Sequence, residues 1–157
     1  MDWSIKPFDK LSTLELYHIV TERINIFVVE QNCPYPELDG KDMDAYHLVA
    51  QTKEGTIVAY ARIFQSDSYY EQASIGRVIV NEKYRGQGFG KQLMGKAIQF
   101  ILDELKETEI KIQAQHYLEH FYQSFGFQPV SEVYIHDLIP HIDMVYTYHQ
   151  NREERYE

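Results

Sequence analysis

Between Arg85 and Lys91 the chain reads Arg-Gly-Gln-Gly-Phe-Gly-Lys, so that Gly86, Gly88 and Gly90 alternate with Gln87 and Phe89 between two cations. Such a stretch is suited to holding an anion. It opens a long amphipathic run in which Leu93, Ala97, Ile98, Ile101, Leu102 and Leu105 recur at helical spacing. The first amides of a helix lack intrahelical partners, and the helix dipole places partial positive charge at the same end. Glycines there remove the Cβ atoms that would keep a pyrophosphate off the backbone and permit the positive φ angles that turn successive N–H groups inward. The loop does not end in Gly-Lys-Ser/Thr and lacks Gly-x-Gly-x-x-Gly spacing, so it matches neither the Walker loop nor the dinucleotide fingerprint. A different phosphate ligand is indicated.

Two other patterns have simpler readings. His116-Tyr-Leu-Glu119-His120 fits the His-x-x-Glu-His spacing of inverted zinc proteases, but it opens a helix expected to be barely three turns long, and no metal site is expected. Cys33, the single cysteine, precedes Pro34 in a turn-rich stretch and reads as structural.

These residues need positioning by the rest of the chain. Ile75–Val80 is β-branched and apolar, a buried strand leading into the glycine loop and the helix behind it. Upstream, Trp3 to Phe8 reads as a first strand. A helix then runs from about Thr13 to about Val29, begun by the capping box Ser12-Thr-Leu-Glu15 with Leu11 stapled onto Leu16; Arg23 and Glu30 are expected to emerge near its end. Tyr46–Thr52 and Thr56–Gln65 form a hairpin across Lys53-Glu54-Gly55, giving three consecutive antiparallel strands before the central helix. Downstream come a strand at Ile110–Ala114, a short helix at Tyr117–Phe125 stopped by Gly126, and two runs, Phe127–Tyr134 and Ile142–Tyr148, closing as a hairpin around Pro140. The charged tail from Gln150 to Glu157 is expected to fray. Neither repeat nor linker interrupts this order, so a single domain is expected.

The combination Arg85-x-x-Gly88-x-Gly90 after a strand resembles the signature of the GNAT superfamily of N-acetyltransferases, whose loop holds the pyrophosphate of acetyl-coenzyme A. Downstream, Tyr122-Gln-Ser-Phe-Gly126-Phe127 resembles the Tyr-x-x-x-Gly-Phe of that family's next helix. Phe27-Val-Val-Glu-Gln31, Cys33-Pro-Tyr-Pro-Glu37, Asp39-Gly40-Lys-Asp42, His47-Leu48 and Ile139-Pro-His-Ile142 are similar to the ElaA-like branch. The resemblance implies an α+β fold, a mixed and mostly antiparallel sheet of six to seven strands flanked by about four helices. It implies that Val78, Ile79 and Val80 lend backbone groups to the pantetheine arm and that Arg85, Gly86, Gln87, Gly88, Phe89, Gly90 and Lys91 cradle the pyrophosphate. It also implies a bulge in that strand, which parts from the strand after it.

Tyr122 matches the family's general-acid position, and a phenol is a suitable donor to a departing thiolate. Gln115 stands where the family often has asparagine, and Phe121 packs against coenzyme or core. Glu30, His47 and His141 lie on segments that should flank the acceptor cleft, and each is a candidate base. Asp39 and Asp42 are candidates for binding a cationic acceptor, with a turn role as the alternative. The function implied is direct transfer of acetyl from acetyl-coenzyme A to a primary amine of a small molecule or peptide; a coenzyme-binding sensor that transfers nothing is the alternative.

Composition sets outer limits. A net charge of −9 disfavours nucleic acid and anionic membranes as partners, since both need clustered Lys/Arg, and favours a cationic acceptor. No apolar run approaches the roughly 20 residues of a membrane span. The stretch Met1–Pro7 has neither a basic nor an apolar signal region, so a cytoplasmic location is expected. Edge strands in such small sheets often pair, which makes a homodimer an option.

Overall fold

The computed structural model describes residues 1–149; the charged tail from Gln150 lies outside them. Its strands are β1 (Asp2–Pro7), β2 (Tyr46–Gln51), β3 (Ile57–Phe64), β4 (Ala73–Val80), β5 (Glu109–Gln115), β6 (Gln128–Pro129), β7 (Tyr134–His136) and β8 (Ile139–Thr147). The α-helices are α1 (Thr13–Ile24), α2 (Phe89–Asp103) and α3 (Glu119–Gln123). The strands form one sheet in the order β1-β2-β3-β4-β5-β8-β6, with β7 also paired to β8. Among the described strands only β4 and β5 run parallel. The architecture is the mixed, mostly antiparallel one expected, with eight strands and three α-helices among the described residues in place of six to seven and about four.

The differences have local causes. Ser12 Oγ accepts the Glu15 amide at 3.0 Å while Glu15 Oε1 accepts the Ser12 amide at 2.9 Å, so α1 begins at the capping box. It does not continue as an α-helix to Val29: after Ile24 the turns widen into a π-helix over Asn25–Glu30. The late run Phe127–Tyr134 splits into β6 and β7, because Pro129 has no N–H with which to extend the ladder. The closing turn is formed by Asp137 and Leu138, both left-handed (φ +48° and +67°), and Pro140 lies within β8 opposite Ile135.

Alternation along β2 and β3 divides the core between the sheet's two faces. Leu48, Ala50, Ala61 and Ile63 pack with Leu93, Met94, Ala97 and Ile101 of α2, while Val49 and Tyr60 pack with Ile19 and Ile26. The glycine loop is thus anchored through α2 to a fully buried face.

Candidate functional site

β4 and β5 pair only at Ala73 with Ile110 and Ser74 with Lys111; beyond those two positions they separate. A bulge in β4 lies along the separated part. Tyr60 pairs with Ile79 and Arg62 with Gly76, two residues along β3 against three along β4. Arg77, inside this interval, has φ +50°, uncommon for a residue other than glycine. A cavity of about 850 Å³ occupies the gap, walled by β4 residues Ile75–Val80 and by Ile112, Gln113 and Gln115 of β5.

At one end the cavity meets the glycine loop. Gly86 and Gly88 have φ +79° and +85°, and a Cβ on either would meet nothing within 4 Å, so each faces open space. Gly88 is the N-cap of α2 and supplies no side-chain cap. The first intrahelical bond runs from the Gln92 amide to the Gly88 carbonyl at 3.1 Å. Among the described residues, the N–H groups from Gly86 to Lys91 donate to no protein atom. A Cβ on Gly90 would meet Phe121 Cζ and Val80 Cγ2 at 3.6 Å, an ordinary contact distance, so the helix start packs directly on those two side chains. Val78, Ile79, Val80, Arg85, Gly86, Gly88, Phe89, Gly90 and Lys91 all line the cavity; Gln87 is exposed on the outside of the loop. Arg85 is held in place, its Nε donating to the Val80 carbonyl at 3.0 Å and its Nη2 lying 3.1 Å from Glu30.

Four further candidates border the same space: Tyr122, Phe121, Gln115 and Glu30. Tyr122 is 6 % exposed, and burial pushes its phenol well above the ordinary tyrosine range, so the O–H stays protonated. Phe121 packs edge-on against Tyr122 and Phe125. Gln115 exchanges amide hydrogen bonds with Gln31 at 3.2 and 3.3 Å, so its side chain is already partnered across the cavity. Glu30, at the end of the π-helix, is occupied by Arg85.

The histidines separate. His141 lines the cavity, and its Nδ1–H donates to the Ile139 carbonyl at 2.7 Å, which leaves Nε2 as the proton-accepting nitrogen. Burial lowers its pKa below that of an ordinary histidine. His47 is not brought to the cavity. It is fully buried, its Nε2–H donating to the Asp42 carbonyl at 2.9 Å and its Nδ1 accepting from the Tyr60 hydroxyl at 2.6 Å, so neither nitrogen remains for an acceptor's proton.

Asp39 and Asp42 are likewise committed, within a lattice of three arginines and three carboxylates in which Arg23, Arg62, Glu37 and Asp42 are buried while Asp39 and Arg77 border the cavity. Arg62 binds both oxygens of Asp39 at 3.0 and 2.6 Å and reaches Asp42 at 2.9 Å. Arg23, fully buried and not emerging from its helix, binds Glu37 at 2.8 Å and Asp42 at 2.7 Å. Arg77 of the bulge binds Glu37 at 2.6 Å. With every carboxylate matched by an arginine, this cluster offers no free negative charge to an ammonium. The sequence carried one unused sign of it: Arg62 and Arg77 interrupt runs otherwise apolar enough to be buried, and a buried guanidinium requires partners.

The lattice makes stability pH-dependent. Burial alone would raise the pKa of Asp39 and Asp42, but the arginines outweigh it and hold both below the usual carboxylate range. Burial keeps His47 below the usual histidine value. In both cases the unfolded chain takes up protons that the folded one refuses. Stability is therefore complete above about pH 6.5, declines first as unfolded His47 protonates, and declines again below about pH 4 as Asp39 and Asp42 do. Denaturant titrations from pH 8 to pH 3 should show the two falls.

His116 and His120 are both exposed, and the motif they belong to is divided, with His116 in a 3-10 turn and α3 starting at Glu119. Among the described residues no group of three or more His, Cys, Asp or Glu is placed to hold a metal ion, and no helix is long and apolar enough to cross a membrane.

Comparison with known proteins gives a consistent picture. Residues 21–148 match the family model described as the acetyltransferase (GNAT) domain. The chain is 44% identical to ElaA of Escherichia coli over 146 residues, 92% of this chain and 95% of that one. The crystal structure of that ElaA superposes with a TM-score of 0.86, covering 92% of this chain and 98% of the other. An acyl-CoA N-acyltransferase from Pseudomonas aeruginosa superposes with a TM-score of 0.87 at 38% identity, covering 94% of this chain and all of the other.

Proposed function

The chain belongs to the GNAT acetyltransferase family, and from that premise we propose that it moves an acetyl group from acetyl-coenzyme A directly to the primary amine of a small molecule or peptide. The observation that carries the reading is the conjunction of unpaired amides from Gly86 to Lys91 with a gap between β4 and β5 that begins beside them. A diphosphate on the loop, with Arg85 and Lys91 adding charge, would direct its pantetheine arm along Val78–Val80 into the gap. On Arg85 the diphosphate would take the place of the Glu30 carboxylate. Similarity to an acyl-CoA N-acyltransferase supports a thioester donor.

In this reading His141 Nε2 accepts the proton that leaves the acceptor ammonium as its nitrogen bonds to the acyl carbon. The carbon–sulfur bond then breaks, Tyr122 donates its phenolic proton to the departing thiolate, and the second proton, shed by the nitrogen as it becomes an amide, restores the phenol. A phenol kept neutral by burial suits that role. Tyr122→Phe keeps the packing and removes the proton; kcat should fall about 100-fold with KM for acetyl-coenzyme A little changed, as measured by steady-state kinetics.

The function itself is tested by release of free thiol from acetyl-coenzyme A across a panel of lysine peptides, polyamines and small monoamines. Amine-dependent release supports transfer. Binding of the coenzyme with no release above hydrolysis would favour a sensor, and absence of binding would overturn both.

A further inference from the structure

Arg77 is the left-handed residue of the β4 bulge and also a wall of the cavity. A non-glycine residue keeps such a backbone only where its surroundings enforce it. Here the enforcement comes through the side chain. Arg77 Nε donates to Glu37 Oε2 at 2.6 Å, Nη2 donates to the Glu37 carbonyl at 3.4 Å, and Nη2 lies 3.6 Å from Asp39. Glu37 is itself immobilised, with its side chain 1 % exposed, Arg23 on the same oxygen at 2.8 Å and the Tyr35 hydroxyl donating to the other at 2.7 Å. Tyr35, Pro36 and Asp39 form part of the cavity wall. One ion pair thus ties the irregular part of β4 to the loop facing it.

We infer that Arg77 is a positioning residue: its pairing with Glu37 holds the bulge and the 35–39 loop in fixed relation, setting where acyl carbon and amine meet. The inference rests on the proposed function for its kinetic consequence, and on geometry alone for its structural one. Among the described residues Arg77 forms no hydrogen bond or ion pair with the glycine loop, so binding of the diphosphate is expected to be independent of it.

Arg77→Gly is the informative substitution, because glycine adopts φ +50° without strain and removes the clamp together with the guanidinium's contact over the Phe27 ring at 6.0 Å. Its kcat should fall about 100-fold while KM for acetyl-coenzyme A changes by less than about threefold, since misplacing reacting groups costs turnover and not coenzyme affinity. Arg77→Lys, which keeps a charge on Glu37, should recover part of the loss. Hydrogen exchange provides the readout that needs no activity: amides of residues 76–79 should lose protection in Arg77→Gly and in Glu37→Gln, which weakens the same pair from the loop side, while those of β2 and α2 keep theirs. Unchanged exchange in residues 76–79 of Glu37→Gln would overturn the clamp, as would full kcat in the glycine variant or a loss confined to KM. If the wild-type protein releases no thiol with any amine, the proposed function fails, and exchange alone decides the clamp.

Discussion

Gly88→Glu should lower affinity for coenzyme A by at least about 100-fold, as measured by calorimetry, while leaving the chain folded. The new side chain would grow into space that is open now, since nothing lies within 4 Å of a Cβ there, and it would bring a carboxylate to the place where the diphosphate is to sit. A like charge in an anion cradle costs several kcal/mol of binding, and about 1.4 kcal/mol is each factor of ten. The φ of +85° adds backbone strain of about 1 kcal/mol that falls on stability instead. Gly88→Ala separates the two contributions: it carries the strain without charge or reach, and should bind much more tightly than the glutamate variant. Wild-type affinity in Gly88→Glu would place the coenzyme elsewhere.

Arg23→Ala should destabilise the protein by about 3–5 kcal/mol, lowering the melting temperature by about 10 °C. The size follows from what is left behind. Arg23 is fully buried, and its loss leaves the buried Glu37 with the half-buried Arg77 and Tyr35, and Asp42 with Arg62 alone. Removing one cation of three leaves three carboxylates against two arginines, and the uncompensated charge keeps its desolvation penalty. A change under about 1 kcal/mol in chemical denaturation would mean that water reaches these carboxylates. Because the same lattice holds the bulge, residual activity at low temperature should also decline.

The lattice has a bearing on the acceptor. A net charge of −9 pointed to a cationic amine, with Asp39 and Asp42 as its anchors, yet both are saturated by arginine. The acidity of the chain therefore does not translate into free negative charge at this wall of the cavity, and under the proposed function discrimination among amines would fall to shape and to the groups near His141. Polyamines and monoamines of similar size should consequently be compared side by side in the thiol-release panel.

Much of the site was legible in sequence because its physics is local. A strand, a turn of alternating glycines and an amphipathic helix are written within some thirty consecutive residues, and a helix N-terminus with bare amides follows from them wherever the helix packs. The capping box at Ser12 and the burial of β3 were legible for the same reason. What only the tertiary structure decided was how residues far apart in the chain share partners. His47 and His141 look alike as single histidines; the first is sealed between Tyr60 and Asp42, and the second is turned toward the cavity by Ile139. Arg23, Asp39 and Arg77 read as a helix end, a turn and a strand, and became one lattice because the buried Arg23 and Glu37 at its centre force distant charges to find each other. Local propensity specifies elements; the pairing of desolvated charges and the parting of β4 from β5 are properties of the assembled sheet.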